Sequence, residues 1–265
     1  MLDPSEPGVG EFLIFALVLV RVSTMVLIAP VFGSSSVPLR VRFILSIVLA
    51  ALIVPIELGK SWISVATPGE FLVMLGAEAL VGLILGLGIA LLFAGIQVAG
   101  QIISQLSGLQ LADVFNPAFD ASVPVFSQLL FYVTLAVFVT IGGHRIVMQA
   151  LLDTFVWMPP GQGGLSRSAG EAVISLLSQS FVLGVRAAAP AMVALILSTL
   201  ILGLVSRSLP QLGVMALGFG FNTMVTFVML GISLGAAAWV FQEQLVDVLD
   251  TLRAALREGS PGSSA

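Results

Sequence analysis

Residues 71–99 read FLVMLGAEALVGLILGLGIALLFAGIQVA, 29 positions broken only by Glu78 and Gln97. About 20 apolar residues, rising about 1.5 Å each as a helix, already cross a hydrocarbon core of about 30 Å. The stretch therefore predicts a long apolar helix in or against a membrane. Within it Gly82, Gly86, Ala90 and Ala94 recur at every fourth position and fall close to one helix face. Small residues at that spacing let backbones approach where water supplies no hydrophobic drive, so this face predicts helix packing. Gln97, Gln101 and Gln105 then repeat the spacing as a polar stripe. Such a stripe should face protein or water, because an unpaired amide in hydrocarbon is costly.

The whole chain follows this lead. Of its 265 residues 58% are apolar, 9% are charged and 27 more are glycine. A soluble domain carries about 25% charged residues, so an ordinary soluble globule is excluded. A net charge of −4 argues against nucleic acid, which is bound chiefly by Lys and Arg neutralising phosphates. The absence of cysteine excludes disulfides, iron–sulfur clusters and thiolate zinc sites. The amino-terminal residues Asp3, Glu6 and Glu11 include no basic partner, so no secretory signal is expected there.

Other segments vary in length. Phe12–Phe32 is long enough to span and holds one charge, Arg21. Phe43–Ile56, after a Pro/Gly/Ser turn closed by Arg40 and Arg42, has only 14 residues. It spans if the Leu39 turn joins it and the arginines snorkel; a hairpin packed on other helices fits equally well. Glu57–Gly69 reads as a polar connection. Val123–Ile141 is span-length and stops at Gly142-Gly143-His144-Arg145, after which Ile146–Trp157 continues as helix and 159–164 as a flexible linker. Ala172–Val205 covers 34 residues with Arg186 and Pro190 inside it, which predicts a kink or a change of surroundings near Pro190. Arg207, Pro210 and Gln211 form a tight turn. Leu212–Phe241 carries no charge and repeats the small-residue spacing at Gly231 and Gly235, while Glu243–Glu258 becomes a charged amphipathic end. This gives an all-α membrane protein of five to six long apolar helices and hairpins. Basic residues divide five to three between the two sides, too weak a bias to orient the chain.

Catalytic patterns are lacking: no G-x-S-x-G elbow, no H-E-x-x-H pair and no dinucleotide fingerprint is present. Gly59-Lys60-Ser61 ends like a phosphate loop, yet Val54 stands where its first glycine belongs. His144 has no plausible second ligand and reads as structural. Neither an enzyme nor a cofactor or metal site is expected. Arg21, Glu78 and Arg186 are each costly in lipid. They read as an interhelical set, Glu78 pairing with Arg21 or with Arg186, in preference to an ion pathway. Ser107–Ser122 breaks every period, with Gly108, Leu109, Gln110, Phe115, Asn116, Pro117 and Phe119 and no basic residue. Irregular backbone at membrane depth survives only when buried in protein or lining a cavity, so a surface loop and a plug both remain open.

Several motifs together resemble the flagellar biosynthetic FliR family, shared with the T-type export-gate subunit of injectisomes. Arg21, Ala29-Pro30-Val31-Phe32-Gly33, Val37-Pro38 and Arg40-Val41-Arg42 match its opening. Gly100-Gln101-Ile102, Gly108, Asn116-Pro117, Val123-Pro124, Gly142-Gly143-His144, Leu152-Asp153-Thr154-Phe155 and Pro159 match its middle. Gly203, Arg207, Pro210-Gln211 and Gly218-Phe219 match its R-x-x-P-Q turn. Departures fall at Gly213, Asn116 and Gly143, where the family favours other residues. The resemblance implies one copy of this chain in an inner-membrane export gate with P and Q subunits, beside the substrate-switching B subunit and the ring of A subunits. Unfolded flagellar proteins would pass through that gate, with no nucleic acid involved. It also implies a P-like part (1–165) with a plug at 106–122 and a Q-like helical hairpin (166–258); the Gly/Ser-rich composition of 259–265 itself predicts a disordered tail. An injectisome gate subunit and a small-solute secondary transporter are the alternatives. The second predicts two related halves with matching broken helices, which the sequence does not display.

Overall fold

The computed structural model describes residues 8–33, 37–58, 67–108, 124–163, 167–208 and 214–258. The regular elements among them are all helical: α1 (Val9–Ile28), α2 (Pro30–Gly33), α3 (Leu39–Glu57), α4 (Pro68–Ser107), α5 (Val125–Thr140), α6 (Gly143–Trp157), α7 (Arg167–Ser208) and α8 (Val214–Glu258). Five are long and apolar enough to cross a membrane, and a sixth span results if the broken pair α5 and α6 counts as one. The protein is an all-α membrane protein.

Helix ends follow local chemistry. At the start of α4, the Thr67 hydroxyl accepts from Glu70 N–H while Glu70 Oε2 accepts from Thr67 N–H, both at 3.3 Å. This capping box satisfies two donors left over by the first turn, and Pro68 suits the first helical position because it has no N–H to lose. Gly142, at φ +74, provides the left-handed residue that separates α5 from α6. Pro38 and Pro124 precede α3 and α5 in extended conformation.

Three helices outrun the lengths read from apolarity alone. The helices α4, α7 and α8 hold 40, 42 and 45 residues. At 1.5 Å per residue they measure about 60 to 68 Å, twice a hydrocarbon core. Helix α7 runs unbroken past Pro190. The 14-residue apolar run becomes the 19-residue α3 because Arg40 and Arg42 lie inside its first turn. There the Arg42 Nε donates to the Val37 carbonyl at 3.1 Å.

The chain forms two compact units. Unit 1 comprises Met1–Leu91, Gly142–Leu177 and Leu245–Ala265. In it α1 and α4 run parallel, because Glu78, Gly82 and Gly86 meet Arg21, Thr24 and Ile28 in ascending order. Parallel neighbours need a return leg between them, and α3, packed on α1, is that leg. The short segment is thus a helix long enough to span that also packs on α1, as both readings of it allow. The last turns of α8 lie on α6: Arg253 Nη2 is 3.3 Å from Asp153 Oδ2, and the Arg257 guanidinium sits 5.9 Å from the Trp157 ring centre.

Unit 2 comprises Leu92–Ile141 and Ser178–Gln244. Its core is aromatic, with Phe93 tilted against Phe131, Phe138 and Phe241 at centroid distances of 5.1–5.8 Å. Tilted and edge-on contacts of this kind place positive ring edges on negative faces. Glycine also lets backbones meet here. A Cβ on Gly95 would stand 2.3 Å from the Ser180 carbonyl oxygen, and one on Gly100 2.4 Å from the Ser127 Cα. At that second crossing the Ser127 hydroxyl donates to the Gln97 carbonyl at 2.9 Å.

Candidate functional site

Unit 1 is organised around one buried ion pair. Arg21 on α1 and Glu78 on α4 are both fully buried, and Arg21 Nε donates to Glu78 Oε2. Arg21 Nη1 also donates to the Thr154 hydroxyl (3.2 Å) and to the Met158 carbonyl (3.1 Å), tying in the end of α6. The guanidinium lies 4.3 Å from the Phe155 ring centre, a cation–π contact on its face. Glu78 Oε1 accepts from Gly161 N–H at 2.9 Å, so the pair also fastens the segment after α6. Gly161 has φ +87, which favours glycine. A charge taken out of water must find its partners inside the protein. Arginine suits this place because its planar fork serves several acceptors at once.

One and two turns along α4 from Glu78, Gly82 and Gly86 bring the backbones of α1 and α4 together. A Cβ on Gly82 would lie 2.1 Å from Thr24 Oγ1 and 2.2 Å from the Arg21 carbonyl oxygen. A Cβ on Gly86 would lie 3.0 Å from Ile28 Cβ. The rest of the small-residue stripe differs: Ala90 is half-buried and Ala94 exposed. Gly231 and Gly235 are exposed on α8, with open space where a Cβ would go. Gln97 is half-buried and Gln101 and Gln105 are exposed. Arg186 is exposed on α7, and Arg207 is exposed in its last turn. Pro210 and Gln211 lie outside the described residues, as do Leu109, Gln110, Phe115, Asn116, Pro117 and Phe119.

The root of that last segment is described. Gly108 closes α4 with φ +75, and Asn222 Nδ2 on α8 donates to the Ser107 carbonyl at 2.9 Å. The last carbonyls of a helix have no intrahelical donor, so Asn222 completes the cap from another helix. Replacing Asn222 by alanine should leave that carbonyl without its donor and cost about 1–3 kcal/mol. Amide exchange at the end of α4 should accelerate as a result; unchanged exchange would remove Asn222 from this role.

Thr154, Phe155, Met158, Gly161 and Asn222 were not expected as partners, nor Gly95 and Gly100 as close approaches. One signal for the first group was present, since Leu152-Asp153-Thr154-Phe155 carries part of the resemblance described above. Among the described residues no group of three or more His, Asp and Glu side chains is placed to hold a metal ion.

Residues 12–248 match the family described as bacterial export proteins, family 1. The chain belongs to the FliR family of these proteins. It is 32% identical to the flagellar biosynthetic protein FliR of Escherichia coli (strain K12) over 220 residues, 83% of this chain and 81% of that protein. It is 26% identical to FliR of Bacillus subtilis (strain 168), covering 90% of this chain and 93% of that one. With FliR of Aquifex aeolicus (strain VF5) it shares 28% identity over 84% and 86% of the two chains. The FliR match thus takes in both units, with Arg21, Glu78 and the end of α6 inside the matched range.

Proposed function

We infer that this chain is a subunit of the flagellar protein export apparatus in the bacterial inner membrane, and propose that it forms part of the channel through which unfolded flagellar proteins leave. The match to the FliR family across residues 12–248 is the observation that carries this reading. Helices of about 60 Å or more support it, since such lengths find their surroundings partly in sister polypeptides instead of lipid. The proposed neighbours are the P and Q subunits of the gate, the B subunit and the ring of A subunits. The chain would hold the passage together without catalysing a reaction. Purification from membranes under mild detergent should yield a stoichiometric assembly with other small apolar proteins. A lone, stable monomer from the same membranes would overturn the reading.

Residues 106–122 are proposed as the plug that closes the passage at rest. An apolar stretch without basic residues suits a site that is occluded in one state and vacated in another. Deleting Gly108–Asp120 should make cells leak small ions while the assembly still forms. Unchanged conductance with intact assembly would count against the plug and leave the subunit reading standing.

A further inference from the structure

Both carboxylate oxygens of Glu78 are engaged within unit 1: Oε2 takes the Arg21 Nε and Oε1 takes the Gly161 N–H. Arg186, the other cation expected to seek it, is exposed on α7 and belongs to unit 2. Among the described residues Arg186 has no hydrogen-bond or ion-pair partner. The described part of unit 2 holds only two further charged side chains, Arg207 and Glu243. Among the described residues this guanidinium therefore stands unpaired, with little other charge in the described part of its unit.

Its setting is a ridge of exposed apolar side chains. Helix α7 turns Leu183, Ala187 and Ala191 inward, while Val182, Val185 and Val193 are 45%, 47% and 61% exposed around Arg186. Exposed apolar residues continue from Phe181 to Val205. Those 24 steps rise about 36 Å, more than the 30 Å or so of a hydrocarbon core, and they flank the cation on both sides. Lipid chains suit the valines and not the guanidinium. Water suits the guanidinium and not the valines. A protein surface with one well-placed carboxylate suits both, because an arginine ringed by apolar contacts is a common anchor at the centre of interfaces.

We propose that the ridge around Arg186 is a docking surface for a helix of a second polypeptide, one that presents a carboxylate level with the guanidinium. This rests on the reading of the chain as one subunit of a larger apparatus. The apolar flanks supply the contact area, and the ion pair fixes the register of the partner along α7.

The test uses the assembled apparatus in its own membranes. A photo-crosslinking residue at Val182 or Val193 should capture one partner polypeptide. Arg186→Glu should lower the recovered assembly about tenfold or more, as expected for a charged anchor facing a like charge. The variant chain should keep the thermal midpoint of the wild type in detergent, because the site is exposed. Changing an acidic residue in the crosslinked segment of the partner to Arg should restore assembly with Arg186→Glu, an outcome that simple misfolding cannot produce. Crosslinks to lipid alone, full assembly of Arg186→Glu, or failure of every such charge reversal would overturn the docking surface. If the wild-type chain itself brings down no partner, the subunit reading falls with it; if only Arg186→Glu assembles normally, the docking surface alone falls.

Discussion

Replacing Glu78 by alanine is expected to destabilise unit 1 by about 3–5 kcal/mol, the usual cost of removing one member of a buried ion pair. Arg21 is fully buried, and its guanidinium would be left with the Thr154 hydroxyl, the Met158 carbonyl and the face of Phe155 but no counter-charge. The Gly161 N–H would lose its acceptor as well. Arg21→Lys should fare poorly for the complementary reason: a point charge on a flexible stem cannot face Glu78, Thr154 and Met158 in the directions the planar fork does. The informative comparison is the double variant Arg21→Met with Glu78→Leu. It removes both charges and fills the space, so its loss should be smaller than the sum of the two single-residue losses by more than about 1 kcal/mol. Chemical unfolding of the purified chain in mixed micelles reads this coupling. Additive losses would mean that the pair contributes little beyond its two separate side chains. Flagellar export should fail in the single variants and recover in part in the double one.

The apolar arithmetic of the sequence was enough for the class of the fold, because hydrocarbon thickness and helical rise are fixed quantities. It was not enough for the lengths of α3, α7 and α8. Reading a run by its charges stops at Arg42, whereas the helix begins after Pro38 for backbone reasons. The polar stretch 57–69 also concealed a legible signal, since Thr67-Pro68-Gly69-Glu70 is a capping box that opens α4. Arg21 and Glu78 could be singled out because each is expensive alone in an apolar helix. The choice between Arg21 and Arg186 as the partner of Glu78 could not be made, since it depends on which faces of α1, α4 and α7 meet. The same holds for Thr154 and Met158, ordinary residues that matter only through where α6 ends. A four-residue spacing of small side chains found Gly82 and Gly86. It missed Gly95 and Gly100, which face other helices, and gave equal standing to Gly231 and Gly235, which face no neighbour within 4 Å. Spacing reports that a face is smooth; only packing reports whether anything lies against it.

That distinction yields the second large effect. An alanine in the interior of a helix ordinarily favours folding over glycine by about 1 kcal/mol. Helix α4 offers two glycines for the same exchange. At Gly76 the added methyl meets nothing within 4 Å, so Gly76→Ala should raise stability by up to about 1 kcal/mol. At Gly82 the methyl would sit 2.2 Å from the Arg21 carbonyl oxygen, a backbone atom of α1 that cannot rotate aside. Overpacking of this kind costs about 1–3 kcal/mol, and here it acts one turn from the buried pair. Pushing α1 away from α4 lengthens the contact between Arg21 and Glu78, so part of the electrostatic loss is added to the steric one. The net change for Gly82→Ala should therefore be unfavourable by about 2 kcal/mol or more, opposite in sign to Gly76→Ala. Unfolding of both variants under one set of micelle conditions decides the matter. If the two shift stability alike, α1 and α4 are not held at the distance that lets Arg21 reach Glu78. Gly231→Ala and Gly235→Ala extend the comparison to α8: neither should harm the isolated chain, so a defect that emerges only in the assembled apparatus would locate a partner on that open face.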